Sequence, residues 1–98
     1  MRAKNIEIDN NLLAVFSKYE GKGLRFIDIF YSLVKNGTMR HSPQIIGHIK
    51  SLILEGKLAK AKGRSRYFYG IPLTREDGSK FLIVNQGVEP EELDVETV

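Results

Sequence analysis

Ninety-eight residues leave room for one domain with one modest core. An apolar fraction of 42% and a charged fraction of 28% lie in the ordinary globular range, and the absence of cysteine removes disulfide scaffolds, thiolate metal sites, iron–sulfur clusters and cysteine nucleophiles together. Net charge is +3 but unevenly laid out: residues 1–80 carry all 15 Lys and Arg against 7 Asp and Glu, whereas Glu89 to Glu96 holds five acids and no base. A cationic body of this size attracts polyanions, nucleic acid foremost, with plain solubility as the alternative. No run approaches the ~20 apolar residues that cross a bilayer, and Met1 to Glu7 lacks the apolar stretch of a signal peptide. A cytoplasmic, nucleoid-associated protein is expected.

Asp9 or Asn10 is read as the cap of a first helix running to about Tyr19, with Leu12, Leu13, Val15, Phe16 and Tyr19 on one face. Glu20-Gly21-Lys22-Gly23 ends it. A second amphipathic run has Phe26, Ile27, Phe30, Leu33 and Val34 as its stripe and stops at Asn36-Gly37. Ser42-Pro43 then starts a third helix, because serine caps and proline at the first helical position loses only an N–H that had no partner. That helix extends to about Glu55, buries Ile45, Ile46, Ile49, Leu52 and Ile53, and is stopped by Gly56.

Beyond Gly56 the period changes. Lys57 to Lys62 and Arg66 to Ile71 read as two strands around Gly63-Arg64-Ser65, and a second hairpin joins Ile71-Pro72-Leu73 to Lys80 through Val84 with Asp77-Gly78 at its tip. From Gly87 the acid-rich composition predicts a solvated, mobile tail. The expected organisation is therefore a domain over residues 1–86 and an acidic flexible tail over residues 87–98, of α+β class.

Helix, helix, turn, helix and basic hairpin, with Ser42-Pro43, Leu52 and Gly56-Lys57-Leu58 at the third helix and its exit, resembles the archaeal and bacterial winged helix-turn-helix transcriptional regulators. The resemblance covers about Asn10 to Ile71 and implies a third helix in the DNA major groove. It also implies a wing beginning at Gly56 and an aromatic return strand, Tyr67-Phe68-Tyr69.

The residues support the same direction independently. Opposite the isoleucine stripe the third helix is read as presenting Gln44, Gly47, His48 and Ser51, with Lys50 at the flank, and these side chains suit a groove about 12 Å wide. Gln44 suits an adenine edge, His48 a guanine or phosphate, and Ser51 almost any base. Gly47 permits close approach to DNA or, equally, to another helix. Arg40, His41 and Ser42 sit where the helix N-terminus meets a phosphate. In the hairpin, Lys57, Lys60, Lys62, Arg64 and Arg66 fall within ten residues that contain no acid, an arrangement that repels itself unless a polyanion is the partner. Arg64, at the tip, is the candidate for the minor groove or flanking backbone, with Lys62 and Arg66 beside it. Lysine also protects exposed strands from pairing, which is the plain explanation of the same run. Tyr67, Phe68 and Tyr69 are assigned to bracing the sheet, and Arg25 and Tyr31 are secondary candidates for phosphate contact.

Catalysis finds little support. His41 and His48, the only histidines, are seven apart with no completing ligand, and no phosphate-binding glycine loop, serine elbow or carboxylate pair is present. The expectation is no enzyme, no cofactor and no metal. The expected partner is double-stranded DNA, bound with sequence specificity by a homodimer whose half-sites lie about 34 Å apart or a multiple of it. The first helix or the Leu73 to Val84 hairpin is its candidate interface, with burial in the monomer core as the competing explanation of the apolar run Phe81-Leu82-Ile83-Val84. The alternatives are a protein-interaction module on the same fold and a non-specific, chromatin-like DNA binder. The acidic tail either competes with DNA for the wing or is an inert solubilising end.

Overall fold

The computed structural model describes residues 6–35 and 42–97. Its elements in chain order are α1 (Ile6–Lys18), β1 (Leu24–Arg25), α2 (Phe26–Lys35), α3 (Ser42–Leu54), β2 (Ala59–Lys62), β3 (Tyr67–Gly70), β4 (Leu73–Thr74), β5 (Lys80–Asn85) and β6 (Pro90–Asp94). The class is α+β, with three helices and two antiparallel three-stranded sheets ordered β1-β3-β2 and β4-β5-β6.

The three helices share one core because each carries a stripe too apolar to leave in water: Leu12, Val15 and Phe16 from α1, Ile29 and Leu33 from α2, and Ile45, Ile49, Leu52 and Ile53 from α3. Gly56, at φ 78°, takes the left-handed turn that ends α3, and Leu58 seals the core beside it. On α2 the burial differs from the stripe expected. Ile29 and Leu33 are buried, Phe26 and Phe30 stack at 6.2 Å at the core's edge, and Ile27 and Val34 lie at the surface with Tyr31. So many of α2's ten residues are apolar that one side suffices for the core. The expected stop at Asn36-Gly37 lies outside the described residues.

Two assignments in the helices are corrected. α1 begins before Asp9, so that carboxylate is no cap: it lies inside the helix, 4% exposed. His48 does not face outward, because it follows Ile45 by three residues and precedes Leu52 by four, which puts it on the buried side of α3 at 7% exposure. The two errors are one interaction, since His48 Nδ1 and Asp9 Oδ1 meet at 2.8 Å across the α1–α3 contact. A buried polar group is tolerable when hydrogen-bonded, so each residue explains the burial of the other.

The β-region departs from a mobile tail. Residues 90–94 pair with β5 in the register Leu82↔Leu93 and Val84↔Glu91, and Leu93 and Val95 pack on a second small core of Ala61, Phe68, Leu82 and Val84. The expected 71–84 hairpin is present, turning at Gly78 with φ 89°. It lies across the first sheet. Gly23 N–H donates to the Ile83 carbonyl at 2.8 Å and Ile83 N–H to that of Gly21 at 2.8 Å, while at the far side Glu96 N–H donates to Lys60 at 2.8 Å. The apolar run of β5 is thus covered within the chain, so it is not an exposed dimer surface.

The first test concerns the buried pair. Asp9→Ala removes the acceptor facing His48, and a buried hydrogen-bonding group losing its partner costs about 1–3 kcal/mol. Thermal unfolding should fall by several degrees, and an unchanged midpoint contradicts the role given to the pair. The second concerns the sheet junction. A Cβ on Gly70 would overlap the backbone carbonyl of Lys22, so Gly70→Ala should lose at least about 1–3 kcal/mol by overpacking. By contrast, a Cβ at Gly56 meets no neighbour, leaving only the backbone strain of its positive φ.

Candidate nucleic-acid interface

With Ile45, His48, Ile49 and Leu52 turned inward, the outward side of α3 is reset by the helical period to Gly47, Lys50, Ser51 and Leu54. Lys50 and Ser51 are exposed, Gly47 is half-buried, and Leu54 is 74% exposed. Arg40 and His41 lie outside the described residues, as do the side chains of Ser42, Pro43 and Gln44.

The β2–β3 hairpin has two unlike faces because strand side chains alternate. Ala61 and Phe68 point into the second core, while Lys60, Lys62, Tyr67 and Tyr69 form the other face, with Lys60 opposite Tyr69 and Lys62 opposite Tyr67. Lys60 Nζ sits 4.9 Å from the Tyr67 ring centroid, a cation–π distance. The assignment of the aromatics to sheet bracing fits Phe68, which is buried. Tyr69 is half-buried and Tyr67 exposed. Between α3 and this face runs a groove of about 310 Å³ lined by Lys50, Ile53, Leu54, Lys60, Tyr69 and the chain at Glu96. The structure therefore brings the α3 cation and a hairpin cation to one trough.

The hairpin cations are not without acids. Lys57 lies 3.4 Å from Glu55, Lys60 lies 3.8 Å from Glu96, and Arg64 Nη2 donates to Glu91 Oε1 at 2.6 Å. Gln86 links the tip to the same strand, its Oε1 accepting from the Arg64 backbone N–H at 2.6 Å while its Nε2 donates to Glu91 at 3.2 Å. Gly63 allows that approach, because a Cβ there would overlap Gln86 Oε1. The self-repulsion expected of five like charges is thus relieved from within the chain. Lys62 and Arg66 are the two hairpin cations with no ion pair among the described residues. The sequence reading offered the acidic segment as a competitor for the wing but as a mobile tail and not as a strand, and Gln86 escaped it. The available signal was the alternation Glu92-Leu93-Asp94-Val95-Glu96, a period-two pattern inside an acidic composition.

Of the two secondary candidates, Arg25 lies at the end of β1 and Tyr31 on α2. Tyr31 is 67% exposed, while the Arg25 guanidinium grips Asp28 in a fork of 2.9 and 2.8 Å. Its hydrogen bonds, aided by its own charge and that of Arg66, hold the Asp28 carboxyl below the usual carboxylate range. A cleft of about 300 Å³ between the hairpin tip and the second sheet is lined by Arg25, Arg64, Ser65, Arg66, Asn85 and Gln86. Among the described residues no group of three or more His, Asp or Glu is placed to hold a metal ion, and no helix is long and apolar enough to cross a membrane. Searches against protein-family models, curated proteins and solved structures returned no match to this chain.

Proposed function

We propose that the chain is a winged helix-turn-helix protein that binds double-stranded DNA and acts as a small transcriptional regulator. In this reading α2 and α3 form the helix-turn-helix, α3 enters the major groove, and the β2–β3 hairpin is the wing. The observation that carries it is the trough lined by Lys50 of α3 and Lys60 of the hairpin, with Ser51 and Lys62 exposed on the same two elements and Arg66 exposed beside the hairpin tip. Cations carried by one helix and one adjoining ribbon, with exposed polar neighbours, suit a groove and its flanking phosphates. Gly47 and Ser51 are assigned to base edges together with Gln44. Lys50, Lys62 and Arg66 are assigned to phosphates, as are Arg40 and His41 before the helix and Ser42 at its start. His48 is left out of the contact set because it is buried.

A protein-interaction role on the same fold has an observation of its own. Ile27, Tyr31 and Val34 recur at three- and four-residue spacing on the exposed side of α2, at 56%, 67% and 42% exposure. An apolar strip of this kind suits a protein surface, and a second copy of the chain covering it would supply the two-fold pairing that regulators use to read two half-sites.

Fluorescence-anisotropy titration of random duplex DNA tests the first reading. Binding is expected at low salt and should weaken steeply as salt rises. The double variant Lys62→Ala, Arg66→Ala should reduce the slope of log K against log salt by about 1.8, the loss of two phosphate contacts. If the folded wild-type chain does not bind at low salt, DNA binding is wrong and the α2 strip becomes the surface to pursue. Sedimentation of the wild type against Tyr31→Ser tests pairing: a dimer that the variant lowers to monomer supports it, and a monomeric wild type excludes it.

A further inference from the structure

We infer that β6 and its continuation to Glu96 form a built-in anionic competitor, one that occupies Arg64 and Lys60 and thereby sets the threshold for DNA binding. This deepens the DNA reading and rests on it.

The two carboxylates that meet the hairpin stand at opposite ends of one segment, Glu91 near the start of β6 and Glu96 two residues past its end. Glu91 engages the tip arginine at 2.6 Å, and five residues later Glu96 reaches Lys60 at 3.8 Å, inside the trough between α3 and the hairpin. Between them Leu93 and Val95 are fastened in the second core, Val95 N–H donates to the Lys80 carbonyl at 3.1 Å, and Glu96 N–H donates to that of Lys60 at 2.8 Å. The backbone is therefore positioned by the sheet and the apolar core, not by the charges it carries. Its carboxylates stay beside the cations whether or not a polyanion is near.

The side chains in contact remain open enough to exchange partners, Arg64 being 68% exposed and Glu91 34% exposed. An incoming phosphate must displace a carboxylate from each cation and then sit near the carboxylate it displaced. Both effects oppose binding. Lys62 and Arg66 remain available for the first encounter with DNA.

The same strand supplies an internal control. Glu92 and Asp94 project from the face opposite Glu91 and pair with Arg75, at 3.1 and 2.8 Å, not with the hairpin. Replacing either set of acids by amides changes net charge by the same two units. Only one set touches the hairpin.

The experiment compares three full-length chains on one random duplex across a salt series: wild type, Glu91→Gln with Glu96→Gln, and Glu92→Gln with Asp94→Asn. Circular dichroism confirms folding of each. The first variant is expected to bind about threefold to thirtyfold more tightly at low salt, as two exposed ion pairs stop competing. Its salt slope should steepen by about 1.8 relative to wild type as two more cations reach phosphate. The second variant should keep the wild-type slope. Single Glu91→Gln and Glu96→Gln chains, each expected to show about half the change in slope, replace the double variant if it does not fold. Equal tightening in both double variants overturns the competitor and leaves a net-charge effect, with DNA binding intact. No binding by any chain at low salt removes the DNA reading and the competitor with it.

Discussion

The closure of one sheet over the other is the constraint on which the rest depends. A two-strand ribbon with an apolar face is marginal alone in water, and here Ala61 and Phe68 would be left exposed without a cover. The second sheet supplies it through Leu82, Val84, Leu93 and Val95, and backbone hydrogen bonds fasten it on both sides, at Gly21 and Gly23 on one and Lys60 on the other. Where the sheets approach most closely, glycine is required by space: a Cβ on Gly23 or Gly70 would overlap its neighbours. The hairpin is thereby held with one face sealed and the other open toward α3.

That packing dictates the electrostatics. A strand must send alternate side chains to opposite faces, so once Leu93 and Val95 are committed to the core, Glu91 is committed to the same side, where the tip arginine lies. Glu92 and Asp94 are committed to the other, where Arg75 stacks 4.4 Å from Phe81 and receives both. The segregation of charge along the chain, cations early and acids late, is undone in space. An acidic segment whose composition suggests repulsion and solvation is held by its pairing with β5 and by Leu93 and Val95, and there it meets counter-charges 17 to 36 positions away.

Much of the helical layer was legible because its signals are local. Ser42-Pro43, Gly56 and the isoleucine spacing of α3 act within a few residues of themselves, as does the Asp77-Gly78 turn, and each is found where expected to within a residue or two. What failed was non-local. Asp9 reads as a cap and His48 as a groove contact only when each is considered alone, since the hydrogen bond that buries them joins residues 39 apart. The pattern Ile45, His48, Ile49, Leu52 has the spacing of one helix face, but treating histidine as polar hides it. β6 was missed for a related reason: composition outweighed a short alternation whose partner strand lies elsewhere in the chain.

The strength expected of the competing carboxylates follows from their exposure. Solvent-exposed ion pairs are worth about 0–1 kcal/mol each, so two of them shift an equilibrium without abolishing it. A mobile acidic tail would also have to give up chain freedom on every encounter with the hairpin, whereas a strand already fixed by Leu93 and Val95 gives up almost none. Salt screens the carboxylates and the phosphates alike, but a duplex meets several cations at once while each carboxylate meets one. High salt therefore weakens DNA binding faster than it frees Arg64 and Lys60. The competition is felt most at low ionic strength, where non-specific DNA binding by an uncovered basic ribbon would otherwise be strongest.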